Sequence, residues 1–231
     1  MENKTDRTIT AIIPARKETH RLKDKNTLPF GDSTLLERKI GQLKGVTSLD
    51  QIVVSSEDDT ILDIARNNGV TPLKRPYEYA SSACPFGRFV EYICTQVQSE
   101  TVLWACCTSP FIETDDYTDA ISQYYSCIAD GYDSLITVQQ LHRFIIDQNG
   151  PVNYQRGLRH KNSSQLDGLY IFTNGIVIAP RKKMIEWKYT WGNIPYMIEV
   201  DKKKGIDISD RYDYNIARYL LKKQEDKFET K

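Results

Sequence analysis

Thr8-Ile-Thr-Ala-Ile-Ile-Pro-Ala-Arg-Lys-Glu-Thr-His-Arg-Leu-Lys-Asp-Lys-Asn26 is an apolar run that turns abruptly basic. The segment Thr8–Pro14 shows no alternation of polar and apolar residues and is closed by proline. It therefore reads as a strand buried on both faces, the kind found in parallel sheets. Five basic residues, Arg16, Lys17, Arg21, Lys23 and Lys25, then fall within ten positions. At the carboxyl end of a buried strand such a loop is placed to hold a polyphosphate, with arginine as a planar fork and lysine as a point charge. A solvated charged loop is the competing reading.

Working outward, strands and helices alternate. Thr34-Leu-Leu-Glu37 is a capping box opening a helix to about Leu43. Gln51–Ser55 reads as a second strand. Ser56-Glu-Asp-Asp59 opens a helix to Asn67, Gly69 ends it, and Val70–Lys74 is a third strand. A helix over 86–98, a strand over 101–106, a helix from Thr114 or Asp115 to Ala129 and a strand over 134–138 continue the series. Strands separated by ten- to fifteen-residue helical segments predict βαβ units and a mainly parallel sheet, with functional loops at the carboxyl ends of the strands. Residues 141–166 break the series and read as a loop excursion or hairpin. Strands over 169–172, 175–179 and 198–200 and a helix over 210–223 close the chain, which is read as one domain over 1–231.

The composition narrows the function. The chain has 231 residues, with Lys plus Arg at 31 and Asp plus Glu at 31. A zero formal charge argues against a general binder of nucleic acid or anionic membrane. Mean hydropathy is −0.51, and no apolar run reaches the length of a membrane span. The polar start carries no secretory signal pattern. The five cysteines, at 84, 94, 106, 107 and 127, have no Cys-x-x-Cys spacing. A disulfide framework or zinc site is not expected, and a reducing cytoplasm is.

Several segments resemble the acylneuraminate cytidylyltransferases, which are the CMP-sialic acid synthetases and their relatives for pseudaminic, legionaminic and ketodeoxyoctulosonic acids. Ile13-Pro-Ala-Arg16 and Arg21-Leu-Lys-Asp-Lys-Asn26 resemble the family's amino-terminal signature. Ile52-Val-Val-Ser-Ser56, Lys74-Arg-Pro76 with Ala80-Ser-Ser82, Thr108-Ser-Pro-Phe111, Asp167-Gly-Leu-Tyr-Ile171 and Gly205-Ile-Asp-Ile208 resemble later motifs, in the same order. The resemblance spans about residues 8–220. It implies a three-layer, Rossmann-like nucleotidyltransferase fold of the GT-A-like kind. It also implies transfer of CMP from CTP to a 2-keto-3-deoxy sugar acid with release of pyrophosphate, for cell-surface polysaccharide.

Carried over by position, Arg16, Lys25 and Asp207 take the catalytic roles. Ala15, Arg16, Lys25, Asn26, Arg75, Ser81 and Ser82 take the nucleotide. Thr108, Ser109, His142, Arg143 and Arg159, or Arg156, face the acceptor, and Asp207 with Asp210 hold Mg²⁺. The excursion over 141–166 implies a homodimer. Lys17-Glu18 stands where the family has two glycines, and His20 where it has lysine. Cys106-Cys107 replaces Gln-Pro, and Ser209 replaces the second late aspartate. These departures gather at the acceptor side and the metal. They leave open an unusual acidic acceptor such as a phosphonate, and a non-catalytic nucleotide-binding homologue.

Plainer readings stand beside these. Cys106 and Cys107 fit buried packing better than nucleophiles. His142 and Arg143 are equally readable as surface residues. Tyr77, Tyr79, Phe86 and Phe89 read as core, or as a border of the base pocket. Trp187, Tyr189 and Trp191 read as a protein interface. A sugar-phosphate nucleotidyltransferase would carry a glycine-rich loop, and a glycosyltransferase an Asp-x-Asp motif; neither is present.

Overall fold

The run of β-branched and small residues at the start forms β1, Ile9–Pro14. Its neighbours on either side are also buried strands, so it needs no polar face. The computed structural model describes residues 7–17, 21–166 and 168–229. His20, Glu18 and Asp167 lie outside them.

A small ribbon, β2 (Pro29–Phe30) and β3 (Ser33–Thr34), leads into helix α1, Leu35–Lys44. The predicted capping box is present: Glu37 N–H donates to Thr34 Oγ1 at 3.2 Å, and Thr34 N–H to Glu37 Oε2 at 2.9 Å. Then come β4 (Gln51–Ser56), α2 (Asp59–Asn67), β5 (Thr71–Lys74), α3 (Phe86–Thr95) and β6 (Thr101–Trp104). Helix α4 (Thr114–Ala129) is capped by Glu113, one residue ahead of the expected start. Strand β7 (Ser134–Gln140) runs into the excursion, where β8 (Ile146–Asp147) and β9 (Gly150–Pro151) pair as a short hairpin.

The sheet has the order β11-β7-β10-β6-β1-β4-β5. Strand β10 (Tyr170–Pro180) runs antiparallel to β6 and β7, and the other pairings are parallel. Two separate strands are predicted where β10 is continuous. The interruption is a bulge between Phe172 and Val177, with Asn174 at φ 54°. Helix α5 (Arg181–Trp187), which the sequence does not signal, separates β10 from β11 (Pro195–Glu199). Helix α6 (Arg211–Glu229) closes the chain.

Alternation along β1 divides the core into two layers. Ile9, Ala11 and Ile13 pack with α1, α2, α4 and α6 on one face. Ile12 packs with Val90 and Ile93 of α3 and Met184 of α5 on the other. Trp187 and Trp191, expected at a protein interface, pack against this second layer. The fold is the expected three-layer α/β arrangement. The chain leaves β1 first toward β4 and later returns to β6 on its other side, so the crevice outside the carboxyl end of β1 is a topological switch point.

Candidate functional site

Three cavities open around that crevice, and Pro14 borders all of them. The first, about 320 Å³, lies between Arg16 and the segment after β5. Arg75, Tyr79, Ser81, Ser82 and Phe89 line it. The second, about 400 Å³, is cationic: Arg16, Arg21, Lys25, Asn26, Thr108 and Ser209 line it, with Cys106 and Cys107. The third, about 350 Å³, is apolar and aromatic. Phe86, Phe89, Trp104, Phe172 and Tyr189 surround it, with Asn174 and Thr190 as polar members. Arg16 is shared by the first two, Cys106 by the last two, and Phe86 and Phe89 by the first and third. The lobes therefore form one continuous site.

Ala15, Arg16, Lys17, Lys25 and Asn26 of the basic segment are each held by hydrogen bonds. Ala15 N–H donates to Ser55 O at 3.0 Å, which buries the alanine at the end of β1. Asn26, itself buried, donates from its side chain to Arg16 O at 2.9 Å. Lys17 N–H donates to Glu57 Oε1 at 2.7 Å, and Lys17 Nζ pairs with Asp58 at 3.2 Å. Arg16 reaches Ala80 O at 3.4 Å, linking the first lobe's two walls. Lys25 Nζ donates to Ile208 O at 3.1 Å. Burial lowers its pKa, against the opposing field of Asp207.

Arg75 is buried in the first lobe, stacked 4.6 Å from the Phe89 ring centre and paired with Glu57 Oε2 at 3.3 Å. Its Nε–H has no partner within the protein. A buried guanidinium with one unspent donor beside a cavity is equipped to receive an anionic or carbonyl oxygen.

The metal candidates behave differently from one another. Asp210 accepts the N–H groups of Tyr212 at 2.8 Å and Asp213 at 3.1 Å, so its carboxylate caps α6. Asp207 is half-buried beside Lys25. No group of three or more metal-ligating side chains occurs among the described residues. The two adjacent thiols are pushed up to about 12, first by burial, so neither is a ready thiolate.

The acceptor candidates are dispersed. Thr108 lines the cationic lobe, while Ser109 is buried behind it. His142 and Arg143 line a separate, open cavity of about 600 Å³ with Ser163, Ser164 and Lys202. Arg159 and Arg156 are exposed on the excursion. Tyr77 and Phe86 are 63% and 49% exposed and thus outside the core, whereas Tyr79, Phe86 and Phe89 border the lobes. Arg21, one of the five clustered basic residues, lines the cationic lobe. Glu57 carries no site role in the sequence reading; its place directly after the strand over 51–55 is the available signal.

The family model described as Cytidylyltransferase matches residues 10–151, more than half of the chain. The chain is similar to the N-acylneuraminate cytidylyltransferase of Escherichia coli O18:K1:H7 (strain RS218 / NMEC), at 25% identity over 226 residues, covering 94% of this chain and 52% of that protein. It is also similar to the pseudaminic acid cytidylyltransferase of Campylobacter jejuni subsp. jejuni serotype O:2 (strain ATCC 700819 / NCTC 11168), at 27% identity over 124 residues, covering 49% of this chain and 51% of that one. The chain thus spans about half the length of the curated relatives it matches. Among solved structures, CMP:2-keto-3-deoxy-manno-octonic acid synthetase complexed with CTP shares the fold. The TM-score is 0.70 at 11% identity, covering 94% of this chain and 99% of that one. A 4-diphosphocytidyl-2C-methyl-D-erythritol synthase from Anaerococcus prevotii shares it at a TM-score of 0.63 and 15% identity, covering 94% and 99%. No described helix is long and apolar enough to cross a membrane. With Arg16, Arg21 and Lys25 of the matched segment lining the crevice at the sheet's switch point, the chain belongs to the cytidylyltransferase family.

Proposed function

We propose that the protein transfers CMP from CTP to an acidic sugar, a nonulosonic or other 2-keto-3-deoxy acid, with release of pyrophosphate. The observation that carries this reading is the meeting of three lobes at Pro14. A cationic lobe with Arg16, Arg21 and Lys25 adjoins both a lobe with Arg75, Ser81 and Ser82 and an aromatic one. The first fits a nucleoside, the second a triphosphate, and the third the ring and substituents of the acceptor.

In this reading the acceptor's anomeric hydroxyl forms a bond to the α-phosphorus as the bond to pyrophosphate breaks. Arg16 stands between the nucleoside and triphosphate lobes and is placed to hold the α-phosphate. Lys25, anchored on Ile208 O, neutralises charge that grows on the leaving pyrophosphate. Mg²⁺ takes one or two carboxylates and completes its shell with substrate phosphates and water. Asp207 would supply one such carboxylate beside Lys25, while Asp210 is committed to its cap. When bound, the ion would add Lewis-acid stabilisation of phosphate charge.

The aromatic lobe contains no cationic side chain to pair a carboxylate. Arg143, Arg156 and Arg159 sit exposed on the excursion. The same excursion carries exposed apolar groups: Ile146 at 67% and Val152 at 52%. A second copy of the chain that covers this face would bring those arginines toward a neighbouring acceptor lobe. We therefore include a homodimer in the reading.

The test is pyrophosphate release with CTP, Mg²⁺ and a panel of 2-keto-3-deoxy acids and phosphonates, with ATP, GTP and UTP as controls. Release with CTP and a sugar acid is the expected result. Release with a phosphonate alone would move the acceptor assignment. Failure of CTP even to bind would overturn the reading.

A further inference from the structure

Lys39 lies in the middle of α1 with none of its surface exposed. Its three partners are uncharged oxygens: Ser109 O at 3.0 Å, Ile112 O at 3.4 Å and Tyr117 Oη at 2.8 Å. The ammonium also stands 5.0 Å from the Tyr117 ring centre. A buried ammonium without a carboxylate hydrogen-bonded to it opposes folding, and an apolar residue of similar size is commonly tolerated as well or better. Stability therefore does not account for the charge; the positions of the three acceptors do.

Two of those acceptors belong to the loop after β6, whose Thr108 lines the cationic lobe. Thr108 O accepts Ile208 N–H at 2.8 Å, and Ile208 O accepts Lys25 Nζ at 3.1 Å. Arg38 and Gln42 of the same helix hold Pro110 O, each at 2.9 Å, so α1 grips the loop along its length. The third acceptor leads elsewhere. Tyr117 Oη donates onward to Gly175 O at 3.4 Å, in the β10 bulge beside Asn174, which lines the aromatic lobe. The loop and the bulge touch there: a Cβ on Gly175 would meet Ile112 at 3.0 Å.

We propose that Lys39 is a positioning residue of the site, whose single buried ammonium fixes the loop that walls the cationic lobe relative to the bulge that walls the aromatic lobe. This rests on reading those lobes as the seats of triphosphate and acceptor. Lys39 touches neither lobe. It acts through Ser109 on one side and Tyr117 on the other.

The clamp depends on the proton. A lysine ammonium has three N–H groups, one for each acceptor, whereas the neutral amine has two. Burial lowers Lys39 to about 7. Facing it are Cys106 and Cys107 from the loop, Glu113 and Tyr117 from α4, and Arg38 from its own helix. Glu113 opposes the fall and Arg38 adds to it, while the two thiols, protonated near pH 7, bring no charge. Above neutral pH the two remaining N–H groups serve the carbonyls and the amine lone pair accepts Tyr117 O–H, so the bond from Tyr117 to Gly175 O is released and the spacing of the walls relaxes.

The test compares wild type with Lys39→Met and Tyr117→Phe. Pyrophosphate release from CTP is followed between pH 5.5 and 9, and labelling of Cys106 by N-ethylmaleimide at fixed pH is assigned by mass spectrometry. For wild type, kcat should fall as pH rises through about 7. Lys39→Met should fold, lose about tenfold in kcat at pH 6, lack that limb and label faster at Cys106. Tyr117→Phe should raise the acceptor KM about fivefold with the KM for CTP unchanged. A Lys39→Met protein with wild-type kcat, pH limb and Cys106 labelling overturns the proposal. If that variant does not fold, an unchanged acceptor KM in Tyr117→Phe overturns it instead. If wild type releases no pyrophosphate, the cytidylyl-transfer reading has failed separately. The labelling rate then decides the clamp, and an unchanged rate overturns it.

Discussion

Glu57 holds Arg75 at 3.3 Å with both side chains largely withdrawn from water, at 12% and 3% exposure. The same carboxylate accepts Lys17 N–H through its other oxygen. One acid after β4 therefore orients a guanidinium in the first lobe and the start of the basic loop. Removing it leaves a buried positive charge uncompensated. Glu57→Ala should lower stability by about 3 kcal/mol, a fall of roughly 10 °C in Tm for a chain of this size. CTP affinity should fall with it. Thermal melts and calorimetric titration with CTP check the pair, and a Tm within a degree of wild type would refute it.

Lys25 is a half-buried cation of the cationic lobe. Lys25→Ala should reduce turnover by about a hundredfold or more. The far-ultraviolet circular dichroism should stay that of wild type, because the lost contact is a single bond to Ile208 O. Steady-state kinetics beside the spectrum decide it. Turnover within tenfold of wild type removes Lys25 from the phosphate site.

Asp207→Asn should shift the Mg²⁺ dependence of activity to higher concentration by about tenfold while leaving the saturated rate closer to wild type. Asp210→Asn is the internal contrast. Asparagine caps a helix about as well as aspartate, so its Mg²⁺ curve should stay in place. Magnesium titrations of both variants, compared directly, separate a ligand from a cap. Coincident curves for Asp207→Asn and wild type would exclude Asp207 as a ligand.

The buried lysine has a second consequence, read in stability rather than rate. Between about 7 and the ordinary lysine value of 10.5, the unfolded chain still holds a proton that folded Lys39 has given up. Stability from this group therefore rises with pH over that window and is lost as pH falls through about 7. Lys39→Met should melt higher than wild type at pH 6.5, with the gap closing toward pH 9.5. Urea titrations at the two pH values measure it. A gap that widens with pH would contradict the sign.

The sequence was most legible where chemistry and chain order coincide. Pro14, Arg16, Arg21, Lys25 and Asn26 are close in sequence and line one lobe of the crevice, so a local reading brings them together; Lys17 and Lys23 belong to the same run and do not line it. The capping box at Thr34 and Glu37 marked α1 for the same reason. Strand β10 was split because Thr173-Asn174-Gly175 interrupts its alternation. Only pairing with β7 shows the break to be a bulge. Lys39 gave no signal, since a lysine inside a helix reads as a solvated face. Its burial is decided by α4 and the loop after β6, some seventy residues away. Asp207 and Asp210 look equivalent in sequence and differ only through the helix that starts at Arg211.

Pro14 borders every lobe of the crevice and sits at the end of the central strand. The three lobes thus share one origin, fixed by the pairing of β1 with β4 and β6. A shift of Pro14 would reshape all three together, whereas a change at Phe172 or Tyr189 would reshape the third alone.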